Sequence, residues 1–391
     1  MGRLSGNQKI RILFLSTYPP RACGIATFTQ DLVGELAKTG EIEPGIAAVS
    51  NGGESYPPEV KFDLNQQDPE AYPETAEKIN RSGADLLMVE HEYGIYGGPC
   101  GSFLLKLTGA LKLPYCVTLH TVLPEPSKRQ RDIVHGLGSG CEKLVTMAPN
   151  TVETLKTVYG VDPEKIAVIH HGVPNLDVPG RDRLKRENGL EGRFIVSTFG
   201  LLGPGKGLEY GIEATARVAK KHPEVLYLIL GQTHPDIRRR EGEKYREKLE
   251  RTVENFGISR NVRFVNRYLT KEEIIRYLSL SDVYMTPYLG KDQAVSGTLA
   301  YAVGYGRVIV STPYSYARVM LADGRGLLAE FRDAGSLAAR ICEVLEHPDL
   351  KAKMERKTLA LGRTMRWNHV AENYLSTFRG VLASRGKKEA L

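Results

Sequence analysis

The sequence predicts an α/β protein with two doubly wound domains, each built on a parallel sheet. Short runs of β-branched and aliphatic residues alternate with longer amphipathic stretches along the 391-residue chain, as in parallel strands joined by helices. The alternation loosens once, at the segment 174–180, which contains two prolines and a glycine, and then starts again. We therefore expect one domain over residues 1–177 and a second over residues 178–370.

Composition places the chain among ordinary globular proteins. Hydrophobic residues make up 41% of it and charged residues 25%, and no apolar run approaches the ~20 residues of a membrane span. The first apolar run, 10–15, is too short for the core of a signal peptide, so we interpret it as a strand. We expect a cytoplasmic protein without a transmembrane segment.

The cysteines and the charge narrow the function classes. The five cysteines are scattered and form no CxxC pair, which argues against a disulfide framework and against a zinc site. The net charge of +7 favours anionic partners, namely nucleotide sugars, phospholipid head groups or nucleic acid. The alternative is a generally charged surface. Because the basic residues interleave with glutamates and belong to no nucleic-acid-binding motif, we expect no nucleic-acid partner.

The first series of elements predicts a Rossmann-like domain. A strand, a turn with Gly24 and the amphipathic helix 31–37 open it, and Gly24 leaves room for a ligand near the backbone. The turn lacks the GxGxxG fingerprint, so we do not expect an enzyme that transfers hydride from a dinucleotide. Further strands are predicted at 46–49, 85–89, 115–119, 143–147 and 166–169.

Polar residues follow several of these strands. They are Glu90, His91 and Glu92 after the strand 85–89, His120 after the next one and His171 after the last. Each histidine taken alone could equally be a hydrogen-bonded structural residue. Because the carboxyl ends of parallel strands meet at one edge of a sheet, we expect these side chains to line a cleft with the Gly24 turn.

The second series predicts another domain of the same kind. Its strands are expected at 194–199, 226–230, 262–265, 283–286 and 308–311, and its helices at 208–217, at 239 to about 256 and at 271–280. Gln232 follows the second of these strands and Arg267 follows the third. Both therefore belong to the edge where ligands of such sheets bind.

A glycine-rich loop, 200–207, follows the first strand of this series and contains Gly203 and Lys206. A lysine flanked by glycines, after a strand and before a helix, can reach a phosphate while the glycines keep the approach open. The alternative is a solvated loop lysine. We favour phosphate binding because a second anion site is predicted at the same sheet edge.

That second anion site is the segment Ser296, Gly297 and Thr298, which begins the helix before the strand 308–311. Ser296 is a natural N-cap, and the small residues after it leave the first backbone N–H groups uncovered. The helix dipole adds partial positive charge there. Taken alone, Ser296 could equally cap a core helix, but together with Lys206 the amides predict a diphosphate cradle.

These motifs resemble those of the retaining GT-B glycosyltransferases of family four, over nearly the whole chain. The matching features are the Gly24 turn, His120, the Gly172 turn, the loop 200–207, the strand 282–287, the segment 306–312 and the Trp367 helix. The resemblance implies two Rossmann-like domains facing each other across a cleft, the first for the acceptor and the second for a nucleotide sugar. It also implies that the last helix, about 371–391, belongs to the first domain.

The resemblance implies roles for individual residues. Lys206 corresponds to the lysine that neutralises the donor diphosphate, and His120 to the histidine that contacts the transferred sugar. The amides of 296–298 take the place of the family's glycine-rich donor loop. Gln232, Arg267 and Tyr301 are expected on the donor side, and Gly24, His91, Glu92 and His171 on the acceptor side.

The chain departs from the family pattern at two places. Leu201 stands where the family has an arginine, so one of two phosphate cations is missing. Gln293 and Tyr301 stand where the family has paired glutamates, and a shift of one residue would put Asp292 at the first position. The cations that could compensate are Arg267, Lys291 and Arg307.

The resemblance implies a retaining transferase that moves a hexose from a nucleoside diphosphate sugar to a hydroxyl acceptor. The donor would be GDP-mannose, UDP-glucose or ADP-glucose, and the acceptor a sugar, a polyol or a lipid-linked group. Asp292 or Gln293 would hydrogen-bond the sugar, and Lys206 with the helix amides would stabilise the leaving diphosphate without a bound cofactor or metal. The alternatives are a sugar phosphorylase that uses inorganic phosphate and a non-catalytic sugar- or nucleotide-binding protein. Homo-oligomerisation stays open.

Overall fold

A computed structural model of the protein describes residues 9–21 and 23–388, and these form two compact units. Unit 1 contains the described residues up to Gly172 together with those from Trp367 onward, and unit 2 contains Val173–Arg366. The sequence placed the boundaries at 177 and about 370. Residues 1–8, 22 and 389–391 of the expected first domain lie outside the described residues.

Strands and helices alternate along the described chain. The strands are β1 Ile10–Ser16, β2 Ile42–Ser50, β3 Val60–Asn65, β4 Leu86–His91, β5 Tyr115–Leu119, β6 Lys143–Thr146, β7 Ile166–Val168, β8 Phe194–Phe199, β9 Val225–Leu230, β10 Val262–Val265, β11 Val283–Thr286, β12 Val308–Ser311 and β13 Leu327–Leu328. The helices are α1 Gly24–Lys38, α2 Ala71–Arg81, α3 Leu104–Gly109, α4 Lys128–Gly140, α5 Thr151–Thr157, α6 Arg181–Glu187, α7 Leu208–Ala219, α8 Pro235–Glu241, α9 Lys244–Asn255, α10 Lys271–Leu280, α11 Gly297–Gly304, α12 Ser315–Met320, α13 Ala334–Glu346, α14 Pro348–Thr364 and α15 Trp367–Lys388.

Unit 1 has a seven-stranded sheet in the order β3-β2-β1-β4-β5-β6-β7, and every pairing is parallel. The central strands are buried along most of their length because helices cover both faces. The strand order reverses between β1 and β4. At such a point the following loops diverge and open a crevice at the carboxyl edge of the sheet.

Helix α15 completes the core of unit 1 by packing on α1. Its buried side chains recur every three or four residues, as expected for one face of a helix. They are Trp367, Val370, Ala371, Tyr374, Leu375, Phe378 and Val381. The Phe378 ring meets Phe14 of β1 edge-on, with centroids 6.5 Å apart. Since burial of one such side chain contributes about 1.5–3 kcal/mol, this helix is a major part of the stability of unit 1.

Unit 2 has a six-stranded sheet in the order β10-β9-β8-β11-β12-β13, again with parallel pairings throughout. Its order reverses between β8 and β11. Helices α7 and α13 pack together over the aliphatic side chains of this sheet. The crevice of unit 2 therefore lies between the loops that follow β8 and β11.

A buried ionic cluster fixes the opposite, amino edge of the unit 2 sheet. Asp282 precedes β11 and accepts hydrogen bonds from Lys185 at 2.5 Å, from Lys351 at 3.0 Å and from the Ile195 amide at 2.8 Å. Burial raises the pKa of Asp282, but the charges of Lys351 and Lys185 outweigh it, so the net shift is downward. A buried carboxylate needs such partners to stay ionised.

Several elements differ from the expectation. Strand β3 and the two-residue β13 were not predicted, and the expected helix 239–256 is two helices separated near Gly242, whose φ is +67°. Glu90 and His91, expected after a strand, are the last two residues of β4. Within the described residues, no helix combines the length and the apolar character that crossing a membrane would require.

Candidate functional site

The carboxyl edge of unit 2 is built by two glycine-containing strand exits. Gly200 follows β8 with φ of +133°, and Gly231 follows β9 with φ of +128°. A side chain on Gly231 would place its Cβ 2.1 Å from the Gly200 carbonyl oxygen, so the two backbones touch. The Leu202 amide then donates to the Gln232 carbonyl at 2.9 Å. This pairing fixes the start of the loop that carries Lys206.

Lys206 ends a short 3-10 turn, Pro204–Lys206, directly before α7. Gly207 follows it in the left-handed conformation, with φ of +59°. A Cβ on Gly207 would lie 2.2 Å from the Pro287 carbonyl oxygen, and the Leu289 amide donates to the Gly205 carbonyl at 3.0 Å. The Lys206 loop is therefore fastened to the segment that follows β11, on the other side of the crevice.

The Lys206 side chain lies on an aromatic ring. Its ammonium nitrogen is 3.8 Å from the centre of the Tyr288 ring, within the range of a cation–π interaction. Tyr288 is buried and stacks on Tyr314, with centroids 5.4 Å apart. The ring holds the charge in one place without neutralising it, so the charge stays available for an anion.

A chain of hydroxyl groups joins Tyr288 to the start of α11. The Tyr288 hydroxyl lies 2.8 Å from the Thr298 hydroxyl, which lies 3.2 Å from that of Ser296. Ser296 is the N-cap, because its side chain accepts from the Leu299 amide at 3.3 Å. The amides of Gly297 and Thr298 come first in the helix and have no intrahelical acceptor. The predicted cap is thus present, beside the ring that carries Lys206.

Other residues expected on the donor side lie around this crevice. Gly203 is buried, with the Ile237 side chain 2.6 Å from where a Cβ would be. The Gln293 side-chain amide donates to the Val295 carbonyl at 3.0 Å, and Asp292 beside it is half-buried. Tyr301 is buried in α11 and packs on Phe199, with ring centroids 6.1 Å apart.

The three cations considered as replacements for the missing arginine differ in their surroundings. Arg307 is half-buried next to the Asp282 cluster and donates to the carbonyls of Ser279 and Ser281, so it belongs to the amino edge and cannot serve the crevice. Arg267 is exposed and paired with Glu273. Lys291 is exposed on the loop before α11.

The carboxyl edge of unit 1 holds a histidine paired with a carboxylate. His120 follows β5, and its Nε2 lies 2.8 Å from Glu90 Oε2. Glu90 is fully buried and the His120 side chain is 10% exposed. Next to this pair, the Thr121 hydroxyl donates to Glu92. The crevice residues His120, Thr121 and Glu92 thus lie at the ends of the neighbouring strands β4 and β5.

An aromatic cluster packs beside His120. The Phe28 ring of α1 meets the rings of His120, His171 and Trp367 edge-on, at centroid distances of 4.9, 5.1 and 5.1 Å. Burial lowers the pKa of His171 to about 4, although a hydrogen bond to the Gly172 carbonyl opposes the shift. His171 is therefore neutral at physiological pH.

His91 and Gly24, both predicted to line the cleft of unit 1, differ from each other in their exposure. His91 is fully buried between Tyr93 and Tyr96, and burial, with a further contribution from His120, lowers its pKa to about 3. Its burial does not support the expectation that it lines an open site. Gly24 is exposed at the start of α1, with open space where a side chain would be.

One group among the described residues has the composition of a metal site. His222, Cys342 and Glu346 place ligand atoms within 4.8 Å of one another. His222 lies just beyond the carboxyl end of α7, at the opposite end of that helix from Lys206. Its Nε2 is 3.0 Å from Glu346, which accounts for the proximity without an ion.

Sequence reasoning did not single out Glu90 as a partner of His120, nor Tyr288 as a partner of Lys206. Glu90 was placed after the strand rather than in it. Tyr288 had a signal, since it follows Pro287 at a strand exit, but an aromatic residue at that place is more often core. Both contacts depend on neighbouring strands that are far apart in sequence.

Two family models match the chain. The model described as "Glycosyl transferases group 1" matches residues 180–359, and "Glycosyltransferase Family 4" matches residues 22–175. Together they account for most of the chain, and each falls largely within one of the two units.

Curated relatives are distant in sequence. A D-inositol 3-phosphate glycosyltransferase of Acidothermus cellulolyticus is 25% identical over 300 residues, which cover 70% of this chain and 63% of the relative. A GDP-mannose-dependent alpha-(1-6)-phosphatidylinositol monomannoside mannosyltransferase of Mycolicibacterium smegmatis is 23% identical over 370 residues. These residues cover 88% of this chain and 91% of the relative. This chain thus spans less than two thirds of the length of the Acidothermus cellulolyticus relative.

Solved structures share the fold. A sucrose-phosphate synthase from Thermosynechococcus elongatus superimposes with a TM-score of 0.77 at 16% identity, over 96% of this chain and all of the other. Anabaena Alr3699/HepE in complex with UDP and glucose gives a TM-score of 0.74 at 15% identity, over 95% of this chain and all of the other. The two parallel-sheet α/β units thus resemble the domains of glycosyltransferases of the GT-B type.

Proposed function

Because the chain belongs to the glycosyl transferases group 1 family, we propose that it transfers a hexose from a nucleoside diphosphate sugar to a hydroxyl acceptor. We further propose that the anomeric configuration is retained and that no metal ion takes part. Unit 2 binds the donor in this proposal, and unit 1 binds the acceptor.

One observation carries the proposal: the Lys206 ammonium and the first amides of α11 lie at the strand-order reversal of unit 2, joined through Tyr288. A lysine charge and a helix N-terminus both favour an anion. The two elements come from opposite sides of the crevice and are fastened together by the Gly205–Leu289 hydrogen bond. This arrangement suits the two phosphates of a nucleoside diphosphate.

The chemistry required of this site is stabilisation of a leaving group. When the bond between the anomeric carbon and the donor phosphate breaks, negative charge develops on the diphosphate, and Lys206 with the Gly297 and Thr298 amides would stabilise it. The acceptor oxygen forms the new bond to the same carbon and passes its proton to the departing phosphate oxygen, so the glycoside and the nucleoside diphosphate are the two products. Donors held in fixed positions are effective here because they need no reorganisation as the charge appears.

Residues beside the cradle would orient the sugar. We propose that Asp292 or Gln293 hydrogen-bonds hydroxyl groups of the hexose and that His120 of unit 1 contacts the sugar during transfer. Gln293 donates one side-chain amide hydrogen to the Val295 carbonyl, so its side-chain oxygen and the second amide hydrogen remain for sugar hydroxyls. The relatives act on inositol phosphate or phosphatidylinositol mannosides by name, which supports a polyol or a lipid-linked acceptor.

Calorimetry with UDP, GDP, ADP and inorganic phosphate tests the donor site, followed by transfer assays with the matching nucleotide sugars. We expect one nucleoside diphosphate to bind and its hexose derivative to be consumed in the presence of a polyol acceptor. Binding of phosphate with phosphate-dependent cleavage of a glycoside would replace the proposal with a phosphorylase. An inverted product would refute retention.

A second candidate is a protein that binds a sugar or a nucleotide without transferring it. The absence of the family's two glutamates favours this candidate. Gln293, at the first of these positions, is neutral, and Tyr301, at the second, is buried against Phe199. Tight nucleotide binding with no turnover over a broad acceptor panel would favour this candidate. Turnover with any acceptor would remove it.

A further inference from the structure

Glu90 is a carboxylate in an unusual place. It is the penultimate residue of β4 and is fully buried, with β1 on one side of its strand and β5 on the other. The Tyr96 hydroxyl donates to the Glu90 carbonyl at 2.8 Å and approaches the Leu15 carbonyl at 3.3 Å. The backbone of Glu90 is therefore held on both sides, and its side chain has little freedom to move.

The carboxylate has a single histidine partner. Glu90 Oε2 lies 2.8 Å from His120 Nε2, and Thr118 is opposite Glu90 in the register of β4 and β5. Burial raises the pKa of Glu90, whereas the hydrogen bond and charge of His120, and then the Thr118 hydroxyl, oppose the shift. The other titratable rings near His120 are those of His91 and His171, and burial keeps both neutral.

Stability does not explain such a pair. Burying a carboxylate beside an imidazole costs desolvation free energy, and apolar residues of similar volume often stabilise a core at least as well. A buried pair in which one member reaches the sheet edge is instead typical of sites where a histidine must be held in one orientation. His120 is that member, since its side chain is 10% exposed.

The geometry also assigns the two ring nitrogens. An ionised Glu90 carboxylate only accepts hydrogen bonds, so its contact with His120 selects the tautomer in which Nε2 carries the proton. Among the described residues, none hydrogen-bonds Nδ1 of His120, and the ring is confined by its edge contact with Phe28. In the neutral ring with this tautomer, Nδ1 is the hydrogen-bond acceptor at the carboxyl edge of unit 1.

We propose that Glu90 is a positioning residue for His120, whose carboxylate fixes the orientation and tautomer of the ring so that Nδ1 accepts a hydrogen bond from a hydroxyl group of the substrate. The inference rests on the proposed function for the identity of that substrate. Glu90 itself does not touch it.

Kinetics of Glu90→Gln test the catalytic consequence. An amide can donate or accept, so the substitution keeps the volume but no longer selects the tautomer. We expect kcat to fall on the order of a hundredfold, as for misplacement of a reacting group, with a smaller change in KM. The matched control is Glu346→Gln, which removes a carboxylate from the exposed His222 pair and should leave both constants unchanged. Equal kinetics for Glu90→Gln and the wild type would overturn the proposal.

The tautomer can be read without any substrate, which separates this proposal from the proposed function. Long-range ¹⁵N NMR of the wild-type imidazoles, with the His120 signals assigned by their loss in His120→Asn, should show the proton on Nε2 and none on Nδ1 at pH 8. A proton on Nδ1 would overturn the assignment even if Glu90→Gln did not fold. If the wild type transferred no sugar yet showed the expected tautomer, the proposed function would fail and the positioning would stand.

Discussion

The ammonium nitrogen of Lys206 lies 3.8 Å from the centre of the Tyr288 ring. The same tyrosine bonds Thr298 through its hydroxyl group. One side chain thus contacts both elements that the sequence predicts as parts of a diphosphate cradle. The position of the lysine charge is set by a residue on the other side of the crevice.

Replacement of Lys206 by alanine should slow transfer with little effect on folding. If the ammonium group faces the donor diphosphate, its loss costs about 2–4 kcal/mol of transition-state stabilisation, on the order of a hundredfold in rate. The unfolding midpoint should stay close to that of the wild type, because the loop buries little area. Steady-state kinetics at fixed ionic strength measure the effect. Lys220→Ala, at an exposed lysine after α7, is the control, and a Lys206→Ala rate within about twofold of it would remove Lys206 from the site.

Gly207→Ala should damage the cradle, whereas Gly205→Ala should not. At Gly207 an alanine would have to adopt φ of +59° and would approach the Pro287 carbonyl. The left-handed conformation alone costs about 1–2 kcal/mol, and the clash adds to it. Gly205 lies two residues away with open space around it.

Thermal unfolding and nucleotide calorimetry of the two glycine variants measure the difference. We expect the free energy of unfolding to fall by at least about 2 kcal/mol for Gly207→Ala, together with weaker nucleotide binding. Gly205→Ala should match the wild type in both. Identical behaviour of the two variants would show that the loop is not held against Pro287 as described.

Transfer should persist in excess EDTA. The proposed site stabilises the diphosphate with Lys206 and the α11 amides, so no divalent ion is needed for leaving-group stabilisation. Initial rates with and without chelator, after exhaustive dialysis, provide the measurement. Loss of activity that only magnesium or manganese restores would contradict the proposal.

Acidification should destabilise unit 1 between about pH 6.5 and pH 4. The pKa values of His91 and His171 are lowered to about 3 and about 4 by burial, while in the unfolded chain they lie near 6.5. In this interval the unfolded state binds more protons, so stability falls as the pH falls. Each histidine lowers the free energy of unfolding by up to about 1.4 kcal/mol for each pH unit of acidification in this interval.

Urea unfolding at a series of pH values, for the wild type and His91→Phe, tests this dependence. The phenylalanine has a ring of similar size to place between Tyr93 and Tyr96, and it cannot titrate. The free energy of unfolding should therefore depend less steeply on pH, by the contribution of one histidine. Glu90, whose pKa is raised, is present in both proteins, and the difference therefore reports on His91. Identical slopes would mean that His91 already titrates normally in the folded protein.

Local sequence patterns predicted most of the fold. Strands β8, β10, β11 and β12 and helix α10 begin and end at the predicted residues, because β-branched runs and N-caps are local signals. Strand β3 was missed because the exposed Lys61 and Asp63 interrupt its apolar pattern. The break at Gly242 was missed because charged residues on both sides read as one amphipathic helix.

The site was predictable only where one segment carries it. Ser296 was identified as the cap of α11 because capping depends on a few consecutive residues. The Glu90–His120 and Lys206–Tyr288 contacts join residues 30 and 82 positions apart in the printed sequence, so strand order had to be known first. Arg307 is a candidate that the structure removes. Its charge made it a possible phosphate ligand, but it lies at the amino edge of the unit 2 sheet, away from the crevice.

Helix α15 gives unit 1 a particular order of assembly. During synthesis the ribosome releases residues 9–172 first and then all of unit 2, whose strands and helices are contiguous in the chain. Only afterwards does the segment from Trp367 emerge to cover α1 and Phe14. Unit 2 can complete its core while unit 1 still lacks α15 and exposes the apolar surface that this helix covers. We therefore expect chaperones to bind nascent chains that are arrested before Trp367.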